Sequence, residues 1–326
     1  MKIKSIIVSL AILLAASVSA LAQADEIKLD PPQSKITTVS AMRARKAPLT
    51  SAEEVGRLKL GTVVTATNRS GNQDSIAGKT DYWYWVDLPN GQKGWLFGGL
   101  LRDYDARRRA EILRQIIEAR LKAEKTDFAD LEDTYNLAAG SIADAKDANT
   151  RAEFELLKLL ALADWGKSIP EPHDKSPYRE WVRTHSAEVV KNEFAGGYNL
   201  RSALLWNLET KYHTLPIADR IAWEAANNPE PSDCESDEVC DFFVEEGNIK
   251  YLNTHSTGAH VGEALKNLGE ALTDQVIDVA NGKGGDKYAV EQRTMLRKSL
   301  ADLRLALGKV SAPEKAEVMK KLARVR

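Results

Sequence analysis

The spacing of apolar residues changes near Asp103, and this change limits the fold more than any other feature of the chain. Between Thr38 and Asp103, short β-branched or aromatic runs alternate with turn residues. From Asp105 onward the apolar residues recur at the spacing of a helix face. A period of two gives strands and a period near 3.6 gives helices, so the chain divides into a small β region and a larger helical one. The length of 326 residues fits two domains.

The β region can be read run by run. Val63-Val64-Thr65-Ala66-Thr67 predicts a strand, with turn residues from Asn68 to Asn72. Tyr82 to Leu88 predicts another, and Pro89-Asn90-Gly91 predicts a hairpin before Gly94-Trp95-Leu96-Phe97. Gly61 and Gly91 stand where tight turns need positive φ. In Tyr82-Trp83-Tyr84-Trp85, alternation puts Trp83 and Trp85 on one face and Tyr82 and Tyr84 on the other. A barrel closes its own edges, which suits so small a sheet.

These runs also resemble a known family. Met42-Arg43-Ala44-Arg45 followed by Pro48 is similar to the L-N-V-R-x-x-P opening of bacterial SH3 (SH3b) domains. Val55-Gly56, Leu58, Gly61 and Val63-Val64 resemble that family's V-I-G-x-L-x-x-G-x-x-V strand pair. Trp85-Val86, Leu88, Gly91 and Gly94-Trp95-Leu96 resemble its closing W-x-K-V-x-L-x-x-G-x-x-G-W-V. Arg43 replaces the usual Asn, and Asn68 to Thr80 forms a longer polar distal loop. The resemblance implies an SH3-like barrel over residues 38–103 that docks cell-wall peptide or an envelope protein. The aromatic set Tyr82, Trp83, Tyr84, Trp85 and Trp95 is the candidate binding surface, and some of these rings must also serve as barrel core.

Residues 104–326 predict an all-α domain. Helices are expected over Ala106–Lys125, Asp127–Leu137, Thr150–Trp165, Tyr178–Lys191, Asn199–Tyr212, Pro216–Asn227, Glu238–Tyr251, Ala259–Ala271 and Lys287–Leu307, with a short last one from Ala312-Pro313. Ile169 to Pro177, with three prolines, reads as a loop, and Gly282 to Gly285 as a turn. Tyr251-Leu252 through Gly258, Val261 and Ala264-Leu265 resembles an edge of a tetratricopeptide-like helix pair, which makes a superhelical stack the second arrangement. Leu204-Leu205-Trp206, then Ala218-Asp219 with Ile221-Ala222-Trp223, then Cys234 and Cys240, resembles a helical region found beside SH3b domains in exported bacterial proteins. That resemblance implies no particular activity.

The N-terminus fixes the expected compartment. Lys2 and Lys4 precede an apolar run from Ile6 to Val18, and Ala22-Gln23-Ala24 is an A-x-A cleavage site. Residues 1–24 therefore read as a secretory signal peptide and 25–37, with Pro31-Pro32, as a linker. The protein is expected in the periplasm of a bacterium or secreted from it, with no membrane span once the signal is removed. Cys234 and Cys240 are the only cysteines, and in an oxidising compartment they are expected to pair.

Composition narrows the function classes. Removing Lys2 and Lys4 leaves 43 basic against 47 acidic residues, a net charge of −4. No basic face points to nucleic acid, and the run Arg107-Arg108-Arg109 reads as a solvated helix start. Cys/His catalysis is disfavoured, because carboxylates around both cysteines oppose a thiolate. Asp233, Glu235 and Asp237 alternate as in a calcium loop, but Glu238 and Val244 stand where an EF-hand needs Gly and Glu. His185, His213, His255 and His260 do not have zinc-ligand spacing. No metal, cofactor or catalytic residue is expected. The leading expectation is a non-enzymatic binding or adaptor protein whose helical domain is a second interaction surface. The alternative is a cell-wall hydrolase, for which Glu188, Glu193, Glu209 and Glu224 lie near Tyr198, Trp206 and Trp223.

Overall fold

A computed structural model describes residues 26–124, 127–232, 234, 237–283 and 288–326. The expected signal peptide and the residues Asp233, Glu235 and Gly284-Gly285 lie outside the described residues.

Seven strands form one sheet: β1 Glu26–Thr37, β2 Met42–Arg45, β3 Glu54–Leu58, β4 Val63–Ile76, β5 Lys79–Asp87, β6 Lys93–Phe97 and β7 Leu101–Asp103. Their order is β3-β2-β6-β5-β4-β1-β7. Register partners in β5 and β6 are Trp83 with Phe97, Tyr84 with Leu96, Trp85 with Trp95 and Val86 with Gly94. Val86 and Leu96 are fully buried, as are Ala44 and Ala66. The other face of β5 and β6 carries a separate cluster of Trp83, Trp95 and Phe97. Gly61 and Gly91 have φ of +75° and +80°, as turns at these positions require.

Two expectations about this region are corrected. Residues 26–37 are not a linker, because Glu26–Thr37 is a strand of the sheet between β4 and β7, with Leu29, Ile36 and Thr37 buried. Pro31 and Pro32 are exposed within it, and β7 is only three residues long, so part of β1 has an uncovered edge where proline is tolerated. The polar stretch Asn68 to Thr80 is not a loop either. It extends β4 and β5 into a hairpin arm that ends in Ala77-Gly78, with φ of 49° and 78°. Two successive positive φ values make a turn whose twist matches the strands. Register shifts between Ala66 and Asn68 and between Arg69 and Gln73 bend the arm.

The helical region holds α1 Arg109–Leu121, α2 Phe128–Ala143, α3 Ala148–Lys167 and α4 Tyr178–His185. Strands β8 Val189–Lys191 and β9 Tyr198–Leu200 follow, then α5 Ser202–Tyr212, α6 Ala218–Ala226, α7 Glu238–Val244, α8 Glu246–Thr254, α9 Val261–Ala271, α10 Asp274–Ala280, α11 Val290–Lys309 and α12 Lys315–Leu322. Asp127 and Asp147 cap α2 and α3 by accepting from the backbone N–H groups of Asp130 and Thr150.

The region is helical as expected, and its elements differ from the expected ones in three places. The β8–β9 hairpin replaces the end of one expected helix and the start of the next. Gly196 and Gly197 supply positive φ at its turn, and the Asn192 side chain accepts from the N–H groups of Phe194 and Ala195. The helix expected over Glu238–Tyr251 divides at Glu245. Gly247 explains the division: a Cβ there would stand 2.7 Å from the Ala226 carbonyl oxygen, so this turn lies directly on the α6 backbone. Helix α10, capped by Thr273, was not expected.

The chain divides into two compact units. One comprises residues 43–57 and 64–103 with the described part of 1–35; the other comprises 36–42, 58–63 and 104–326. Within the second unit, Ile36 and Leu60 are buried with Ile112, Ile117, Phe154 and Leu157. A larger core gathers Phe242, Tyr251, Leu252, Leu265, Leu300 and Leu307. A third joins Trp165, Trp181, Leu200 and Leu205.

Candidate functional site

The five candidate rings of the barrel do not form one surface. Trp83 is 3 % exposed. Its backbone N–H donates to Ser70 Oγ at 3.0 Å and its indole N–H to Asp74 at 2.6 Å. Both partners belong to the hairpin arm, which Ile76 helps to pack onto the ring cluster. Trp83 also meets Phe97 edge-on at 5.6 Å. Trp95 is 7 % exposed, and a Cβ on the preceding Gly94 would stand 2.8 Å from Val55 Cγ2. Trp83 and Trp95 are therefore framework residues.

Trp85 is the partly exposed ring of this face, tilted against Trp95 at a centroid distance of 5.4 Å. Tyr82 and Tyr84 project to the opposite face, as alternation required, and are also partly exposed. Each lies beneath a cation. The Arg69 guanidinium sits 3.9 Å from the Tyr82 centroid, and the Lys35 ammonium sits 4.5 Å from that of Tyr84. Lys35 is buried and also reaches the exposed Asp103 carboxylate at 2.6 Å. Sequence reading missed Arg69, Lys35 and Phe97. Only Phe97 had a signal, since it falls two residues after Trp95 on the same face.

In the helical unit, Cys234 and Cys240 form a disulfide with a Cα–Cα distance of 5.3 Å. Asp237, between them, caps α7 and accepts from the Tyr288 hydroxyl. Among the described residues no group of three or more His, Cys, Asp or Glu side chains could hold a metal ion. The Arg107-Arg108-Arg109 run is fully ion-paired, to Asp105, Glu111 and Asp144.

The four acidic candidates have separate roles. Glu188 meets His185 at 2.7 Å, and Glu193 meets Lys191 at 2.7 Å. Glu209 is buried against His255 at 3.1 Å. Of the four, only Glu224 has no hydrogen-bonded partner side chain among the described residues; burial raises its pKa above the usual carboxylate value, against the pull of Arg220 and His260. Asp164, whose carboxyl is also raised by burial, adds its charge to the Glu224 environment. Nearby, Tyr251 is buried and donates to Asp219 at 2.7 Å; burial and that bond raise its phenol pKa.

The barrel defines the class of its region. A family model of the bacterial SH3 domain matches residues 40–102. Those residues are a bacterial SH3 domain, followed by a helical region that no family model matches. A search of the curated proteins found no match, and neither did a search of the solved structures. Among the described residues no helix is long and apolar enough to cross a membrane. The SH3 domain and the disulfide are compatible with a place outside the cytoplasm.

Proposed function

We propose that this is an exported binding or adaptor protein, periplasmic or secreted, whose barrel docks cell-wall peptide or an envelope protein. Bacterial SH3 domains suggest binding to peptidoglycan or protein, which supports the general role. The observation that carries the finer reading is Trp85, a partly exposed ring braced from the neighbouring strand by the buried Trp95. A braced indole offers a large contact area with little entropy left to lose.

Purified peptidoglycan is the test surface. The protein is expected to sediment with it, and Trp85→Ala to lower retention by about tenfold, the loss typical of a dominant aromatic anchor. Far-ultraviolet circular dichroism of the variant should match the parent. Undiminished retention of a folded Trp85→Ala protein would remove Trp85 from the docking surface. The hydrolase reading rests on Glu224, whose raised pKa suits a general acid. Release of soluble fragments from labelled peptidoglycan by the parent, and none by Glu224→Gln, would replace the adaptor reading with an enzymatic one.

A further inference from the structure

The helical unit contains a cleft of about 600 Å³, inside the range of roughly 300–1,000 Å³ usual for small-ligand sites. Helices α8 and α11 form its two long walls. They are tied at one end by the Ser299 hydroxyl donating to Glu246, and at the other by Lys309 Nζ reaching Asn253 Oδ1 at 3.1 Å. Trp206, Phe243, Val244, Ile249 and Met295 supply apolar lining. Met295 is 55 % exposed although it is a large apolar side chain. The remaining wall is held in shape from outside. Pro229 and Glu230 line the cleft just before Cys234, and Phe243 and Val244 line it just after Cys240, so the disulfide fixes the span between these two strips. Glu230 is further anchored by accepting from the Ser202 N–H at 3.0 Å.

The charges around this lining define what fits. Glu230 and Glu246 are already engaged, by the Ser202 N–H and the Ser299 hydroxyl. Lys250 makes no ion pair among the described residues, and its ammonium lies 4.0 Å from the Trp206 ring centroid. Lys298 and Asp302, one helical turn apart on α11, have no hydrogen-bonded or ion-paired partner among the described residues. An apolar anion would meet the lysines but also face three carboxylates, and an apolar cation would meet the reverse conflict. A ligand carrying both signs around an apolar side chain satisfies both sets. We propose that the cleft binds a short peptide with free termini, its carboxylate toward Lys250 and Lys298, its amine toward Asp302, and a hydrophobic side chain against Trp206 and Phe243. This proposal does not rest on the barrel reading.

Isothermal titration of the full chain tests it with three probes: the tripeptide Ala-Phe-Ala with free termini, the same peptide acetylated and amidated, and chitotetraose. The free tripeptide is expected to bind, and capping to weaken it by about tenfold or more, as loss of two charge-assisted contacts requires. Lys298→Glu, an exposed substitution, should weaken the free peptide by about fivefold or more without changing the melting temperature. Trp85→Ala should leave this binding unaltered, which separates the cleft from the barrel. Equal binding of the capped peptide, tighter binding of chitotetraose, or no heat from the free tripeptide at millimolar concentration would each overturn the proposal.

Discussion

Trp83 in the barrel and Phe154 in the helical unit are both almost wholly buried, yet different things hold them. Trp83 belongs to a cluster of only three buried rings, and its main chain and indole are tied by hydrogen bonds to a neighbouring arm. Phe154 sits among apolar side chains contributed by α1, α2, α3 and two short segments near Ile36 and Leu60. This face of the sheet thus rests on a few large groups, while its other face buries aliphatic side chains such as Val86 and Leu96, and the core around Phe154 spreads its contacts over many residues. Loss of one ring should therefore be more selective in the barrel than its size alone suggests.

The largest expected effect comes from Trp83→Ala. Truncating a buried Trp costs about 3–5 kcal/mol, which is comparable to the whole stability of a small domain. Near-ultraviolet circular dichroism should lose the barrel's share of its aromatic signal at low urea, while the share from Trp165, Trp181, Trp206 and Trp223 persists with the helical signal at 222 nm to higher urea. A single aromatic transition that coincides with the one at 222 nm would break the contrast between the units. A smaller effect is expected from replacing Cys234 and Cys240 by Ser. Opening so short a loop should cost about 2 kcal/mol on the chain-entropy estimate, read as a lower urea midpoint at 222 nm. The aromatic step assigned to the barrel should keep its urea midpoint, and a shift there would sharpen the picture toward coupling.

The smallest effect concerns Glu224. Its pKa is raised in the folded state, so the folded form binds a proton more tightly than the unfolded form. Ionised Glu224 therefore opposes folding at neutral pH, and that opposition fades as pH falls through the raised value toward about 4, the usual carboxylate range. Glu224→Gln should stabilise the helical unit slightly at pH 7, with the gain vanishing near pH 4. Thermal melts of both proteins across that interval measure it. A gain that grows with acidity would reverse the sign of the argument.

What could be read from sequence depended on whether a feature had a local cause. Asn90-Gly91 and Gly61 announced their turns because backbone φ is a local demand. Ala77-Gly78 did not, since alanine rarely adopts positive φ and the preceding polar residues resembled a loop. Pro31-Pro32 hid β1 for a similar reason. The opposite faces of Tyr84 and Trp85 followed from alternation, but the sealing of Trp83 required Asp74 from an arm that had not been foreseen. The break at Glu245 and the cleft between α8 and α11 are tertiary outcomes. One arises where Gly247 touches α6, the other where five separate helices converge, and no local spacing encodes either.

The helical unit owns two short stretches that precede most of the barrel strands, residues 36–42 and 58–63. Gene fusion ordinarily trades modules at a single breakpoint. A crossover near codon 104 would carry away α1 to α12 yet leave behind Ile36, Leu60 and Gly61, the last of which lies so close to Leu137 that an added methyl group would force the leucine side chain to shift. Recombination could exchange this body cleanly only together with its N-terminal neighbour, so the two should be inherited as a pair.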